Sequence, residues 1–326
     1  MQLYYDIEDY IVDFKKDLVK GYENLGKPDP IRVTPGFYAQ CKLCLQRSLK
    51  QVFTTPRAFI LEMFLHLGCG ILISVPAENL EYVGPYPDPI CNITPVPFRS
   101  DCFLPSKDNY MQTANFMCFG VLFASIASAS ASFGEEQVNY WRECAAGLQT
   151  IPYFIAKFIA NFPRVLGAAL FFFIAFSVRF QNTASPTEIY VLIMALYWFG
   201  FSLGYVVSQT VPPRFSSMMG VLIALIFSVG LAGTNPSLKD VHEKPRAQQI
   251  PWYVSGPRWT LEAFYVSQVK YYYEIPEGSP RYVGQPYISV DSGLEANGYN
   301  IKGTLLKYYY YYYYYYYLYY LFFSIL

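Results

Sequence analysis

Residues Phe133 to Pro163 read FGEEQVNYWRECAAGLQTIPYFIAKFIANFP, a polar island between two apolar runs. Small and apolar residues precede it, and VLGAALFFFIAFSV begins at Val165. Each neighbouring run is long enough to cross a bilayer, so the island reads as a charged hinge between two spans. Ionised side chains are costly in hydrocarbon, which puts such a hinge at a water interface, where it can touch a soluble partner.

The rest of the chain agrees with a membrane reading. Of 326 residues, 53% are hydrophobic, 19% aromatic and 15% charged. A soluble domain carries about 25% charged residues, and several runs of about 20 apolar residues occur here. The expected fold class is an all-α polytopic membrane protein. Formal net charge is zero, which offers no electrostatic footprint for nucleic acid.

Six transmembrane helices are expected, at about 58–75, 114–133, 153–178, 189–211, 215–232 and 305–326. Residues 1–33 read as a cytoplasmic linker with an amphipathic helix, on the stripe Tyr4, Ile7, Ile11, Phe14 and Leu18. From Thr34 to Arg57 basic and apolar residues alternate, which predicts a helix lying along the membrane surface. Nine Lys or Arg fall between Lys15 and Arg57, and this bias puts the N-terminus in the cytoplasm. The segment 76–113 is then outside. It holds the sequon Asn92-Ile93-Thr94, a possible glycosylation site, although Pro95 directly after it disfavours attachment. Cys91 and Cys102 lie in the same segment, as a possible disulfide or two free thiols. A long final extracellular loop is expected from Gly233 to about Thr304. Ten consecutive tyrosines, Tyr308–Tyr317, begin soon after it.

Several patterns that could carry chemistry are weak. GYENLGKP, from Gly21 to Pro28, approaches a phosphate-binding loop, but Pro28 replaces the hydroxyl residue and no apolar strand precedes it. Cys41 and Cys44 form a lone CxxC, which reads as two thiols on a helix rather than a zinc site. No HExxH, paired histidine cluster or GxSxG marks a membrane enzyme. Glu62 and His66 share a face of the first span, where they pair with each other or sit near the interface. The run ASIASASAS, 124–132, predicts close helix approach. Phe116, Phe119, Phe123 and Phe227 read as ordinary packing residues or as the wall of a cavity that takes an apolar or amphipathic ligand.

The hinge resembles that of ABC transporters of the G subfamily, the White and pleiotropic-drug-resistance type with an ABC-2 type membrane domain. Phe133, Glu136, Tyr140, Arg142, Glu143, Gly147, Tyr153, Phe154, Lys157 and Pro163 stand where that family's pattern has them, while Gln137 and Asn139 depart from it. A second likeness is Arg258, Trp259 and Glu262 in the last outer loop. The resemblance covers about 34–326. It implies a membrane domain that exports lipids, sterols or amphipathic compounds, pairs with a second half-transporter as a homo- or heterodimer, and is driven by ATP and magnesium on a nucleotide-binding domain. That domain is not recognisable in this chain, so ATP hydrolysis is expected elsewhere, fused upstream or on a separate subunit. Glu136, Arg142, Glu143, Gly147 and Lys157 would form the coupling hinge, in a multi-pass protein of the plasma membrane or an internal membrane. The competing class is a non-transporting polytopic protein, a receptor or scaffold.

Overall fold

The computed structural model describes residues 34–54, 56–77, 92–93, 95–96, 109–130, 132–134, 136–180, 182–273, 294 and 297–299. Every regular element among them is helical. The expected linker helix in 1–33, Cys91, Cys102 and the sixth span lie outside the described residues.

Five helices are long and apolar enough to cross a membrane among the described residues, where six were expected along the whole chain. They are α2 (Pro56–Ser74, extended by a 3-10 turn to Ala77), α3 (Asn109–Ala129), α5 (Thr150–Arg179), α6 (Pro186–Thr210) and α7 (Pro213–Leu225, extended by a π turn to Gly230). At about 1.5 Å per residue, the 21 residues of α3 span about 32 Å, close to a hydrocarbon core of about 30 Å. The 30 residues of α5 exceed it, so one end of this helix must stand beyond the lipid. α5 runs through Pro163 without interruption.

Local signals explain several boundaries. Ser185 caps α6 by accepting a bond from the Glu188 backbone N–H, and Pro186 starts the helix where its missing donor costs nothing. Pro212 stands between α6 and α7, and Pro213 opens α7 at a position where its missing donor costs nothing. The second span differs most from expectation. It starts earlier, at Asn109, and ends at Ala129, so Phe133 belongs to the hinge turn.

The core lies among α3, α5, α6 and α10 (Gly256–Tyr273). Phe172, Phe176, Phe180 and Phe264 form an aromatic column there. α3 and α6 approach closely because Gly200 and Gly204 face small residues. A Cβ on Gly204 would lie 2.5 Å from the Ala129 Cβ and 3.0 Å from the Ile126 carbonyl oxygen. A Cβ on Gly200 would collide with the Ser125 side chain. The small-residue run thus does bring helices together, on one of its faces.

The expected final loop is more ordered than a loop through its described part. It contains α8 (Leu238–His242), α9 (Arg246–Val254) and α10. α10 packs against α3 and α6. Its Gln268 accepts from the Thr183 backbone N–H at 2.9 Å, which ties it to the turn between α5 and α6.

Candidate functional site: the hinge and its anchors

The hinge is the turn 132–136, the short helix α4 (Gln137–Ala145) and the turn to Thr150. The Ser208 hydroxyl of α6 accepts from the backbone N–H groups of Phe133 and Gly134, at 2.9 and 3.0 Å. The Phe133 ring lies 5.8 Å from Phe154 and 5.3 Å from Tyr205. The turn is therefore pinned to both α5 and α6.

α4 ends in a Schellman motif. Gly147 has φ +103°, its N–H bonds the Cys144 carbonyl, and the Leu148 N–H bonds the Glu143 carbonyl. A Cβ here would also stand 2.5 Å from the Thr34 Cγ2, so glycine is required on two counts. The Gly147 carbonyl accepts from Gln40 of α1 (Phe37–Thr54), and the Gln149 N–H donates to the Gln40 side-chain oxygen. α1 packs along α5. The chain thus folds α1 and α5 around the end of α4.

Charges make the second anchor. Glu136 receives hydrogen bonds from Lys157 Nζ at 2.7 Å and from the Tyr153 hydroxyl at 2.9 Å. Arg47 Nη1 donates to Glu143 Oε1, and Arg47 Nη2 lies 3.9 Å from Glu136. Burial raises the pKa of Glu136, but the bond and charge of Lys157, the Tyr153 bond and the Arg47 charge outweigh it, leaving the carboxyl below its ordinary value. Burial raises the Tyr140 phenol, which donates to Thr150 at 2.9 Å.

The hinge residues named from sequence therefore divide. Glu136, Glu143, Gly147 and Lys157 face inward and join α4 to α1 and α5. Arg142 does not join them. It is exposed and bonds Asn139 one turn back at 2.9 Å, beside the exposed Val138 and Trp141, each 60% accessible. Lys157 does not reach toward water. It is instead buried, because Glu136 supplies a carboxylate partner.

A second polar cluster sits beside the hinge. Arg164 Nε bonds both Glu62 oxygens at 2.6 and 2.8 Å, and its Nη2 donates to the Ser128 carbonyl. His66 Nε2 lies 3.7 Å from Glu62 and 3.2 Å from the Ser128 hydroxyl, and its Nδ1 lies 3.1 Å from the Tyr197 hydroxyl. The Glu62–His66 pairing was legible from their spacing. Arg164, Ser128 and Tyr197 were not, since each comes from a different helix.

The start of α10 meets the middles of α3 and α6: the Pro257 carbonyl lies 3.9 Å from the Cys118 sulfur, and Gly256 faces the Phe199 ring. Arg258, Trp259 and Glu262 are all buried on α10. The Arg258 guanidinium lies 3.8 Å from the Trp259 ring centre and 4.8 Å from that of Tyr253. Glu262 lies 3.9 Å from it, one turn along. This group fixes the start of α10. Asn92 is exposed, as a glycan acceptor must be. Of the four phenylalanines proposed to line a cavity, Phe123 lines the crevice beside the hinge, while Phe227 packs on Phe199.

Five apolar helices, a charged turn pinned to two of them and buried ion pairs define an integral multi-pass membrane protein. Residues 107–301 match the ABC-2 type transporter family, and the chain belongs to that family. It is similar to the ABC-type transporter claG of Penicillium crustosum, 25% identical over 251 residues, covering 75% of this chain and 32% of that protein. It is similar to ABC transporter G family member 28 of Arabidopsis thaliana, 22% identical over 300 residues, 89% of this chain and 22% of the relative. A putative white-brown complex homolog protein 30 of Arabidopsis thaliana is 22% identical over 182 residues, 55% of this chain and 15% of its own. The chain thus spans a third or less of the length of these relatives.

Proposed function

We propose that this chain is the membrane-spanning part of an ATP-driven exporter of lipids, sterols or amphipathic compounds, and that its hinge couples the spans to a nucleotide-binding domain. One observation carries the reading: α4 is anchored on one side and bare on the other. Glu143 and Gly147 tie it to α1, and Glu136 ties the turn before it to α5. Val138, Trp141 and Arg142, at helical spacing i, i+3 and i+4, face outward. An apolar pair beside a guanidinium suits a groove on a soluble domain.

The mechanism follows from that asymmetry. ATP and magnesium act on the nucleotide-binding domain, carried on the same polypeptide or on a partner. Closure of two such domains displaces the outer face of α4. The anchors carry the displacement into α1 and α5 as a rigid-body shift, which alternates access to a pathway between two half-transporters. The N-terminal side of α1 and the hinge face the cytoplasm, α1 lies along the membrane surface, and α10 and Asn92 face outward. Tyr153 and Phe133 stiffen the joint through ring contacts.

Purification from native membranes tests the reading. A nucleotide-binding domain is expected in the same polypeptide or in stoichiometric association, with ATPase activity that responds to an amphipathic substrate. A protein with neither, or one whose ATPase activity ignores the membrane part, contradicts it.

A further inference from the structure

The run Ala124–Ser132 uses its small residues in two ways. Ser125 and Ala129 take the close approach of Gly200 and Gly204. On the neighbouring face Ala124, Ala127 and Ser128 line a crevice of about 620 Å³, where Ser128 also meets His66 and Arg164. Ala127 is exposed to it. The walls come from α1, α2, α3 and α5, and the volume falls within the range of about 300–1,000 Å³ typical of small-molecule sites.

The crevice is amphipathic. At one side Leu61 and Leu65, each 63% exposed, and Phe123 present hydrocarbon. At the other lie the ion pairs Glu62–Arg164 and Glu136–Lys157. Between Lys157 and Arg164, on the same face of α5, stands the buried Asn161. Its amide nitrogen has no partner of normal hydrogen-bond geometry among the described residues, only a looser approach to the Tyr205 hydroxyl.

These features choose the ligand's charge. Each charged group named on the wall already faces one of opposite sign. A charged headgroup would have to pull one pair apart in a low-dielectric setting, which is costly. An uncharged group with an acceptor oxygen disturbs neither pair. We propose that the crevice binds one uncharged amphiphile, which sets a hydroxyl or carbonyl oxygen against the polar wall at Asn161 and its hydrocarbon against Leu61, Leu65 and Phe123. The proposal rests on the membrane-spanning reading and not on coupling to an ATPase, so either can fail alone.

Three photoactivatable probes with one common alkyl chain test it, ending in an alcohol, a carboxylate or an amine. Each is added to the full chain in vesicles, and crosslinks are mapped by mass spectrometry. The alcohol is expected to label 61–69 and 157–164 and to be displaced by unlabelled alcohol. The two ionic probes should label these segments at least about tenfold less. Ala127→Trp fills the crevice and should remove this labelling while labelling on the exposed face of α7 persists. Glu62→Gln strips Arg164 of its carboxylate and should turn the preference toward the carboxylate probe. Equal labelling by all three headgroups, labelling confined to outward-facing surfaces, or no displacement by unlabelled alcohol overturns the proposal. Should Ala127→Trp fail to fold, displacement and the Glu62→Gln preference decide it on their own.

Discussion

The hinge and the crevice both pair carboxylates with basic side chains, but in different surroundings. Across the hinge, the Arg47 and Glu143 side chains are 35% and 37% exposed. In the crevice, the Arg164 and Glu62 side chains are 24% and 13% exposed. An exposed pair is worth at most about 1 kcal/mol, so Arg47–Glu143 adds little to an anchorage that rests mainly on Glu136 and on the Gly147 turn. A buried pair that loses one partner costs about 3–5 kcal/mol, so the crevice cluster holds α2, α3 and α5 in fixed register. Residues of the same types serve as a weak outer tie in one place and as a rivet in the other.

The largest expected effect comes from breaking the rivet. Glu62→Ala should destabilise the protein by about 3–5 kcal/mol, read as a fall in thermal midpoint in detergent. Replacing Glu62 and Arg164 together by leucine should recover most of that loss, because no charge is then left without a partner. Should the double variant be worse than the single one, the cluster is not acting through charge pairing.

Glu136 lies between the two regimes. Glu136→Gln removes the carboxylate that Lys157 and Tyr153 share and should cost about 1.5–3 kcal/mol. The native carboxyl has a lowered pKa, so its contribution is fully present above the unfolded value of about 4.3. It is lost as pH falls below that value and through the lower folded one. Wild type should therefore lose stability more steeply than Glu136→Gln on acidification below about pH 4.3, and parallel curves would refute the pairing. Gly204→Leu should cost about 1–3 kcal/mol by forcing α6 away from Ala129 and the Ile126 carbonyl. The Arg47–Glu143 tie should give the smallest effect: Glu143→Ala should cost about 1 kcal/mol or less, and a double-mutant cycle with Arg47→Ala should give a coupling of about 1 kcal/mol or less.

Much of this arrangement was legible in the sequence. The five described spans follow from apolar run length alone, and the hinge from its charge. The Glu62–His66 pair follows from spacing, since residues four apart share a helix face. What escaped is what depends on helix rotation about distant neighbours. Arg47 lies far from Glu143 in sequence, and nothing local indicates that α1 turns this side chain toward α4. Arg142 and Glu143 are adjacent and looked alike, yet successive residues on a helix point in different directions, one to α1 and one to solvent. The Ala/Ser run promised close packing, but only the positions of Gly200 and Gly204 decide which of its faces closes. α10 carries a buried arginine and glutamate, which read as loop residues until their aromatic and carboxylate neighbours are seen.

The central claim is that α4 is held on its inner face and driven from its outer one. Arg142 separates these roles, since it makes no contact with α1 or α5 among its described bonds. The deciding measurement is substrate-stimulated ATP hydrolysis and transport by the assembled transporter carrying Arg142→Glu, alongside its thermal midpoint. The account predicts a midpoint within about 0.5 kcal/mol of wild type and a loss of coupled hydrolysis and transport. Unchanged transport at an unchanged midpoint would contradict it.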